Sequence, residues 1–161
     1  MEEATYIKNE TRWRNKQRTL VFGSRGIDGR HRHLMEDIKK LLPNHKAESK
    51  FDKKTDFREI AEICELKSCN NCVFIETRRG ARNAYMHVAR VPTGPTMKFQ
   101  LFNVHTSAEV KLSGNCLLGS RPLLNFEAVF DTKPHLKLMK ELFQQVFGVP
   151  RNHPKAKPFH D

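Results

Sequence analysis

The sequence is short of cysteine and of long apolar runs, and each shortage excludes a class of protein. Four cysteines in 161 residues are too few for a small disulfide-stabilised secreted scaffold. Residues 1–18 are polar and lack the apolar core of a secretory signal, and no apolar run approaches the roughly 20 residues that a membrane span needs. We therefore expect an intracellular protein with reduced thiols and no membrane partner.

Aspartate and glutamate are also scarce, with 18 acidic residues against 29 lysines and arginines. The net charge is +11 at pH 7 and the isoelectric point is about 9.8, a balance typical of proteins that bind nucleic acid or acidic partners. The excess is uneven, because residues 11–32 contain seven cations against the single acid Asp28, whereas residues 123–149 are balanced. The sequence therefore predicts basic surfaces, with a merely solvated basic face as the alternative.

The stretch 19–42 is the clearest structural unit in the chain. It predicts a buried strand at 19–22, a glycine-rich turn at 23–29 and then a helix that Asp28 caps and Pro43 ends. The apolar positions of this helix fall on one face, at Leu34, Ile38, Leu41 and Leu42. Because a strand–turn–helix unit aims backbone N–H groups at whatever lies over the turn, it predicts an anion site there.

The remaining pattern predicts an α/β domain over residues 19–149, with a mixed β-sheet packed with helices. A basic extended arm (1–18) precedes this domain, and a basic, proline-containing tail (150–161) follows it. From their apolar or alternating patterns, further strands are predicted at Cys72–Arg78, Asn83–Arg90, Thr96–Val104 and Leu123–Phe130. The strand that ends at Val104 is expected to be covered on both faces near its end.

Two further helices are predicted. The capping-box spacing of Asp56 and Glu59 indicates the start of one, and its apolar face contains Phe57, Ile60, Ala61 and Cys64. Asp131 or Thr132 is the expected cap of the other, which has Pro134 near its first position and ends at Gly148. The apolar face of that last helix contains Leu136, Met139, Phe143, Val146 and Phe147.

The cysteines are the first candidates for metal ligands. Cys69 and Cys72 form one pair of the spacing found in structural zinc sites, but such a site needs a second pair. Cys116 is isolated in the sequence, and Cys64 is expected to face the core. Buried or half-buried thiols, with no metal, are therefore the expected state.

Motifs of nucleotide-binding enzymes are absent from the sequence. The glycines of residues 23–26 fit neither G-x-x-x-x-G-K-[ST] nor G-x-G-x-x-G. His105 has no evident acid partner, which argues against a hydrolase built on it. We predict no enzymatic activity, no cofactor and no small-molecule substrate.

Cations recur in the predicted loops, where RNA phosphates and unpaired bases are usually contacted. If the strands are ordered as the pattern suggests, several of these loops converge near the first turn. The predicted RNA-binding residues are Ser24, Arg25, Gly26, Arg30, His31, Arg32, Lys46, Lys50, Lys53, Lys54, Arg78, Arg79, Arg82 and Arg121. A protein–protein module whose basic surface docks an acidic partner is the alternative. Trp13 lies between Arg12 and Arg14. It could contact RNA or a protein partner, or it could pack the arm against its own domain.

Several segments together match the pattern of one known family. They are Leu20–Ile27, Arg32–Ile38, the spaced residues Pro43, Lys46, Glu48 and Lys50, and Gly94–Phe99, Asn103–Thr106, Gly114–Leu117, Gly119–Leu124 and His153–Phe159. These segments resemble the Brix-domain family of ribosome-assembly factors, whose hallmark G-P-[ST]-x-x-F segment is matched by Gly94–Phe99. The resemblance covers about residues 19–161, so it rests on much more than one motif.

The resemblance implies a domain of two similar α/β halves, each like the anticodon-binding domain of some aminoacyl-tRNA synthetases. It also implies a non-catalytic factor of the nucleus and nucleolus that binds pre-ribosomal RNA of the large (60S) subunit. The implied protein partners are a dedicated non-Brix assembly factor and other pre-ribosome proteins. Because the chain ends near where the second half would begin, we expect one half of a Brix domain, with uncovered apolar surface and poor solubility in isolation.

Overall fold

The structure is a computed structural model that describes residues 17–51, 58–77, 83–111, 119 and 122–149. The strands are β1 (Thr19–Gly23), β2 (His45–Ala47), β3 (Asn71–Thr77), β4 (Ala84–Arg90) and β5 (Thr96–Leu101). The helices are α1 (Gly29–Leu41), α2 (Arg58–Leu66), α3 (Ser107–Val110), α4 (Val129–Thr132) and α5 (Pro134–Phe147). The predicted unit of strand, glycine turn and helix is therefore confirmed as β1 and α1.

The five strands form one mixed sheet in the order β2-β1-β3-β4-β5. β1 is parallel to both β2 and β3, whereas β3, β4 and β5 are successively antiparallel. The register aligns Thr77 with Ala84 and Ala84 with Leu101, and it aligns Gly23 with Ile75. The ends of β1, β3 and β5 and the start of β4 thus lie at one edge of the sheet, which we call the loop edge.

Each face of the sheet has its own apolar core, because β1 and β3 are buried on both sides. On one face, strand residues such as Val21 and Val73 pack against α1 and α5. The helix side chains buried there are Ile38, Leu142 and Val146, together with Leu42, the residue that follows α1. On the other face, Phe22 and Phe74 pack with Cys64 of α2. This two-sided burial explains why both strands read as continuous apolar runs.

The strand predicted at Leu123–Phe130 is wrong. Residues 122–127 form neither strand nor helix, α4 follows at Val129–Thr132, and the Leu123 side chain is 91% exposed. Phe126 and Phe130 lie edge to face with ring centroids 5.4 Å apart. Residues four apart meet on one side of a helical turn, so the packing of these two rings favours a helical conformation over an extended strand.

The strand predicted to reach Val104 ends earlier, at Leu101. Asn103 has a φ of 45°, a left-handed conformation that asparagine tolerates better than most residues, so the chain turns away from the sheet. The Phe102 side chain is 71% exposed. The expectation that this strand is covered on both faces near its end is therefore wrong.

The helix termini follow the sequence signals in part. Pro134 occupies the first turn of α5, as predicted, but Lys133 is the residue before the helix, because Asp131 and Thr132 belong to α4. Asp28 occupies the cap position of α1, yet its side chain makes no capping hydrogen bond. The predictions for Trp13, the capping-box residue Asp56, the turn after β3, Cys116 and the tail fall outside the described residues.

Some large apolar side chains lie on the surface, and the expectation of an uncovered apolar face stays a prediction. Among the described residues, those exposed by more than a third are Leu66, Phe102, Val110, Leu123, Leu124, Val129 and Leu138. Exposed apolar side chains are ordinary when single, but contiguous patches mark interaction surfaces. Poor solubility of the isolated chain stays a prediction.

Candidate nucleic-acid interface

Ser24 fixes the corner at which β1 passes into α1. Its hydroxyl donates a hydrogen bond to the carbonyl of Thr77 (3.1 Å) and accepts one from the backbone N–H of Thr77 (3.0 Å). The Ser24 N–H donates to the carbonyl of Ile75 at 3.0 Å. Since Ser24 is fully buried, the side chain predicted to contact RNA is inaccessible, and its hydroxyl instead ties the end of β1 to the end of β3.

Backbone pairing brings Arg25 and Lys50 to the same corner of the sheet. The N–H of Arg25 donates to the carbonyl of Phe51 (2.8 Å), and the N–H of Phe51 donates to the carbonyl of Gly23 (3.1 Å). These bonds extend the sheet pairing past the ends of β1 and β2 and bring Lys50 next to the turn. Arg25 and Lys50 are both exposed. Two predicted RNA contacts from distant parts of the sequence therefore meet at the loop edge.

The turn between β1 and α1 was predicted to bind an anion through its backbone N–H groups, but several of these groups are bonded within the domain. Those of Ser24, Arg25 and Ile27 donate to carbonyls within the domain, the last of them to the Ser24 carbonyl at 3.3 Å. They are therefore not aimed at a ligand over the turn, and the predicted backbone anion site is wrong for these three groups. Gly26 is exposed and has a φ of 84°, a conformation that favours glycine. At Ser24, Arg25 and Ile27, anion affinity would have to come from side chains.

The three predicted RNA contacts at the start of α1, which are Arg30, His31 and Arg32, have different surroundings. Arg32 is exposed and donates from Nη2 to the carbonyl of Ile27 at 3.4 Å. His31 is largely buried, with Nδ1 3.8 Å from a carboxylate oxygen of Asp28. Arg30 is exposed and its Nε lies 3.5 Å from Oε1 of Glu109 in α3. Arg30 and Arg32 are thus the side chains of this group that face solvent.

A brace between α1 and α3 holds Glu109 near Arg30. Asp37 of α1 accepts hydrogen bonds from the N–H (2.9 Å) and hydroxyl (2.6 Å) of Ser107. Burial opposes ionisation of Asp37, but the bonds from Ser107 and the nearby Lys40 outweigh it and lower the pKa of this carboxyl. The carboxylate therefore acts as a cap for α3, a role that the sequence did not indicate. Residues this far apart in sequence leave no local pattern.

The structure does not bring all the predicted cations together. Lys46 pairs in register with Leu20, three residues before Gly23, which places it about 10 Å from the loop edge. Other predicted RNA-binding residues fall outside the described residues; these are Lys53, Lys54, Arg78, Arg79, Arg82 and Arg121. The segment that contains Arg78, Arg79 and Arg82 nevertheless has fixed ends, because Thr77 and Ala84 both belong to the loop edge.

The thiols have the environment of core residues. Cys64, Cys69 and Cys72 are free and buried. A hydrogen bond with Cys64, together with burial, raises the pKa of Cys72 well above its usual value, and burial raises the pKa of Cys69. The same contact with Cys72 lowers the pKa of Cys64. In the described part of the chain, no group of three or more histidine, cysteine or acidic side chains is arranged to hold a metal ion, and no helix there has the length and apolarity to cross a bilayer.

Comparisons with known proteins agree on one family. A model described as "Brix domain" matches residues 24–161. The curated protein "Ribosome biogenesis protein BRX1 homolog" of Homo sapiens is 49% identical over 150 residues, which are 93% of this chain and 42% of that protein. "Ribosome biogenesis protein brx1" of Schizosaccharomyces pombe is 48% identical over 146 residues, 91% of this chain and 49% of that protein. This chain therefore spans less than half the length of these curated relatives.

A solved structure shares the fold. It is a probable ribosomal biogenesis protein from Aeropyrum pernix K1, with a TM-score of 0.55 and 21% sequence identity. The alignment covers 87% of this chain and 77% of the archaeal one. At that identity the likeness supports the arrangement of the mixed sheet and its helices, and nothing about ligands.

Proposed function

The chain belongs to the Brix domain family, and from this membership we propose that it acts in ribosome biogenesis as a non-catalytic RNA-binding assembly factor. The finer proposal is assembly of the large (60S) subunit in the nucleolus, on pre-ribosomal RNA. Protein partners would be a dedicated assembly factor outside the family and other pre-ribosome proteins. The names of the curated relatives support ribosome biogenesis, and the finer points rest on the resemblance described above.

The convergence of cations at the loop edge carries the RNA-binding proposal. Arg25 and Lys50 are held together by backbone pairing through Phe51, and Arg30 and Arg32 follow in the first turn of α1. Cations at a helix N-terminus are disfavoured by the helix dipole, at about 0.3–1 kcal/mol each. A polyanion bound at this edge would offset that cost and the mutual repulsion of the side chains.

One observation favours the competing function of a docking module for an acidic protein. Arg30 already pairs with a carboxylate, that of Glu109, so the surface accepts carboxylates as well as phosphates. The two candidates differ in what charge reversal removes. If the basic edge docks a protein, Arg25→Glu with Arg30→Glu abolishes partner binding and leaves RNA crosslinks intact.

The salt dependence of RNA binding tests the proposed function directly. Each phosphate contact releases counterions, so the logarithm of the binding constant should fall linearly with the logarithm of salt concentration, with a slope of about −0.7 to −0.9 per phosphate. A flat dependence would contradict RNA binding through this edge. In native pre-ribosomal particles, crosslinked RNA should map to peptides that contain Arg25 and Lys50.

A further inference from the structure

A cleft lies on the opposite side of the sheet from α1 and α5. It has a volume of about 470 Å³, within the range of about 300–1,000 Å³ usual for small-ligand sites. Phe74 and Ala89 line the cleft from β3 and β4, Ile60 lines it from α2, and the turn at Gly94 lines its far end. The lining is mostly apolar, and no role in the function proposed so far uses it.

One wall of the cleft is a ring held in a fixed orientation. His87 lies opposite Phe74 in the β3–β4 register, and the two ring centroids are 5.7 Å apart at 43°. The Nε2 atom of His87 lies 3.1 Å from Oε2 of Glu76, whose side chain is only 10% exposed. The carboxylate thus locks the imidazole against rotation. Phe74 is buried, with only 2% of its surface exposed, so it supports His87 from below, and His87 is the ring whose orientation suits a planar aromatic ligand.

Cations border the cleft. Arg58, the first residue of α2, lines it directly. Lys98, the β5 partner of His87 in register, lies 3.8 Å from the Glu76 carboxylate and 4.2 Å from the centre of the Tyr85 ring. A ligand with a flat apolar body and flanking negative charges therefore complements this part of the surface, and a nucleotide of a single strand has that chemistry.

We propose that this cleft takes one unpaired base of an RNA strand, stacked against the His87 ring, with the flanking phosphates towards Arg58 and Lys98. The inference rests on the proposed RNA-binding function and adds a second site to it. The loop edge supplies phosphate contacts, whereas the cleft supplies base stacking. The site therefore directs the protein to looped or single-stranded RNA, because bases in a duplex are not free to enter it.

Crosslinking of the unaltered chain tests the proposal without any substitution. A short uridine oligonucleotide containing 4-thiouridine is irradiated with the protein, and the crosslinked peptides are identified by mass spectrometry. The proposal expects base crosslinks in peptides containing Phe74, His87 or Ala89. Crosslinks confined to the loop edge, or a cleft crosslinked to protein and not to RNA in native particles, would overturn it.

A cleft-filling variant gives a quantitative test. Ala61 lines the cleft from α2, so Ala61→Phe should lower affinity for the single-stranded oligonucleotide about five- to hundredfold. The affinity for duplex RNA should not change, because duplex bases do not enter the cleft and the cations of the loop edge are retained. Ala128→Phe is the matched control, because Ala128 is exposed and precedes α4, which packs with α5 on the other side of the sheet.

The outcomes separate this inference from the proposed function. Unchanged single-strand affinity in folded Ala61→Phe, with binding still weakened by removal of the Arg25 and Lys50 side chains, overturns the cleft site alone. Absence of any salt-dependent RNA binding overturns both. If Ala61→Phe fails to fold, as its melting curve would show, the crosslinks of the unaltered chain decide the matter.

Discussion

Arg30 and Glu109 form an ion pair that joins the first turn of α1 to the short helix α3, with Nε and Oε1 3.5 Å apart. The side chains are 58% and 40% exposed, so the pair is worth no more than about 0.2–1 kcal/mol. Glu109 also lies 3.0 Å from Nδ1 of His105, so His105 has an acid partner that the sequence did not reveal. The carboxylate is thus a weak internal competitor for any anion that approaches Arg30.

Removing this competitor should strengthen RNA binding. In Glu109→Gln, Arg30 no longer pairs with a carboxylate, so we expect RNA affinity to rise about two- to fivefold at low salt. Fluorescence anisotropy with labelled RNA measures the change. Glu127→Gln, which removes the same charge from an exposed position between Gly119 and α4, is the control. Weaker binding by Glu109→Gln would mean that the carboxylate orients Arg30 and does not compete.

Removing the cations at the loop edge should reduce both affinity and its salt dependence. Arg25→Ala combined with Lys50→Ala should make the salt slope shallower by about 0.9 for each phosphate that the variant no longer binds. Arg18→Ala is the matched control, because Arg18 is exposed but lies just before β1, at the opposite edge of the sheet. If Arg18→Ala had the same effect as the double variant, RNA binding would depend on the net charge of the protein and not on the cations of the loop edge.

Ser24→Ala should destabilise the fold without a direct effect on RNA. The substitution leaves the buried N–H and carbonyl of Thr77 without the hydroxyl that now satisfies them, at a cost of about 1–3 kcal/mol. Urea denaturation measures this destabilisation. Ser49→Ala is the control, because Ser49 is exposed and its hydroxyl bonds the neighbouring Glu48; this variant should stay within about 0.5 kcal/mol. A large drop in affinity in folded Ser24→Ala would make its hydroxyl a direct contact after all.

The brace between Asp37 and Ser107 should give stability that depends on pH. The folded-state pKa of Asp37 lies below its ordinary value of 3.8, so its contribution is complete above that value and is lost as pH falls through the lowered pKa. Asp37→Asn should cost about 1–3 kcal/mol near neutral pH. The difference from the unaltered chain should vanish in acid well below 3.8.

Chemical denaturation across this pH range checks the prediction, and Ser107→Ala completes a double-mutant cycle. The coupling energy should be about 0.5–3 kcal/mol. A difference between Asp37→Asn and the unaltered chain that persists unchanged in acid would show that the contribution does not come from the ionised carboxylate.

The sequence predicted those features whose signals are local. The unit of β1 and α1 follows from an apolar run, a glycine turn and apolar residues four apart, of which Ile38 and Leu42 are buried as expected. The error at Leu123–Phe130 arose because apolar residues in a short run suit a strand or a helix equally well. Length and periodicity alone could not reveal that Phe126 packs on Phe130.

The candidate site was predictable in composition but not in geometry. Cations after successive strands indicated a shared edge, and the order of the sheet brings Arg25 and Lys50 together there. The sequence could not show which polar and charged side chains already have partners within the fold. The partners of Ser24 and Arg30, for example, are more than fifty residues away along the chain. Such pairs follow from the tertiary fold and leave no trace in spacing.

The hydrogen bonds between the Ser24 hydroxyl and the Thr77 backbone affect how the connection between β3 and β4 can vary in sequence. Together with the pairing of Thr77 and Ala84, they hold both ends of this connection in place. Its intervening residues can then be exchanged or lengthened at little cost to the sheet, because loop closure penalties grow slowly with length. Transplanting this connection between homologues should therefore preserve the melting temperature.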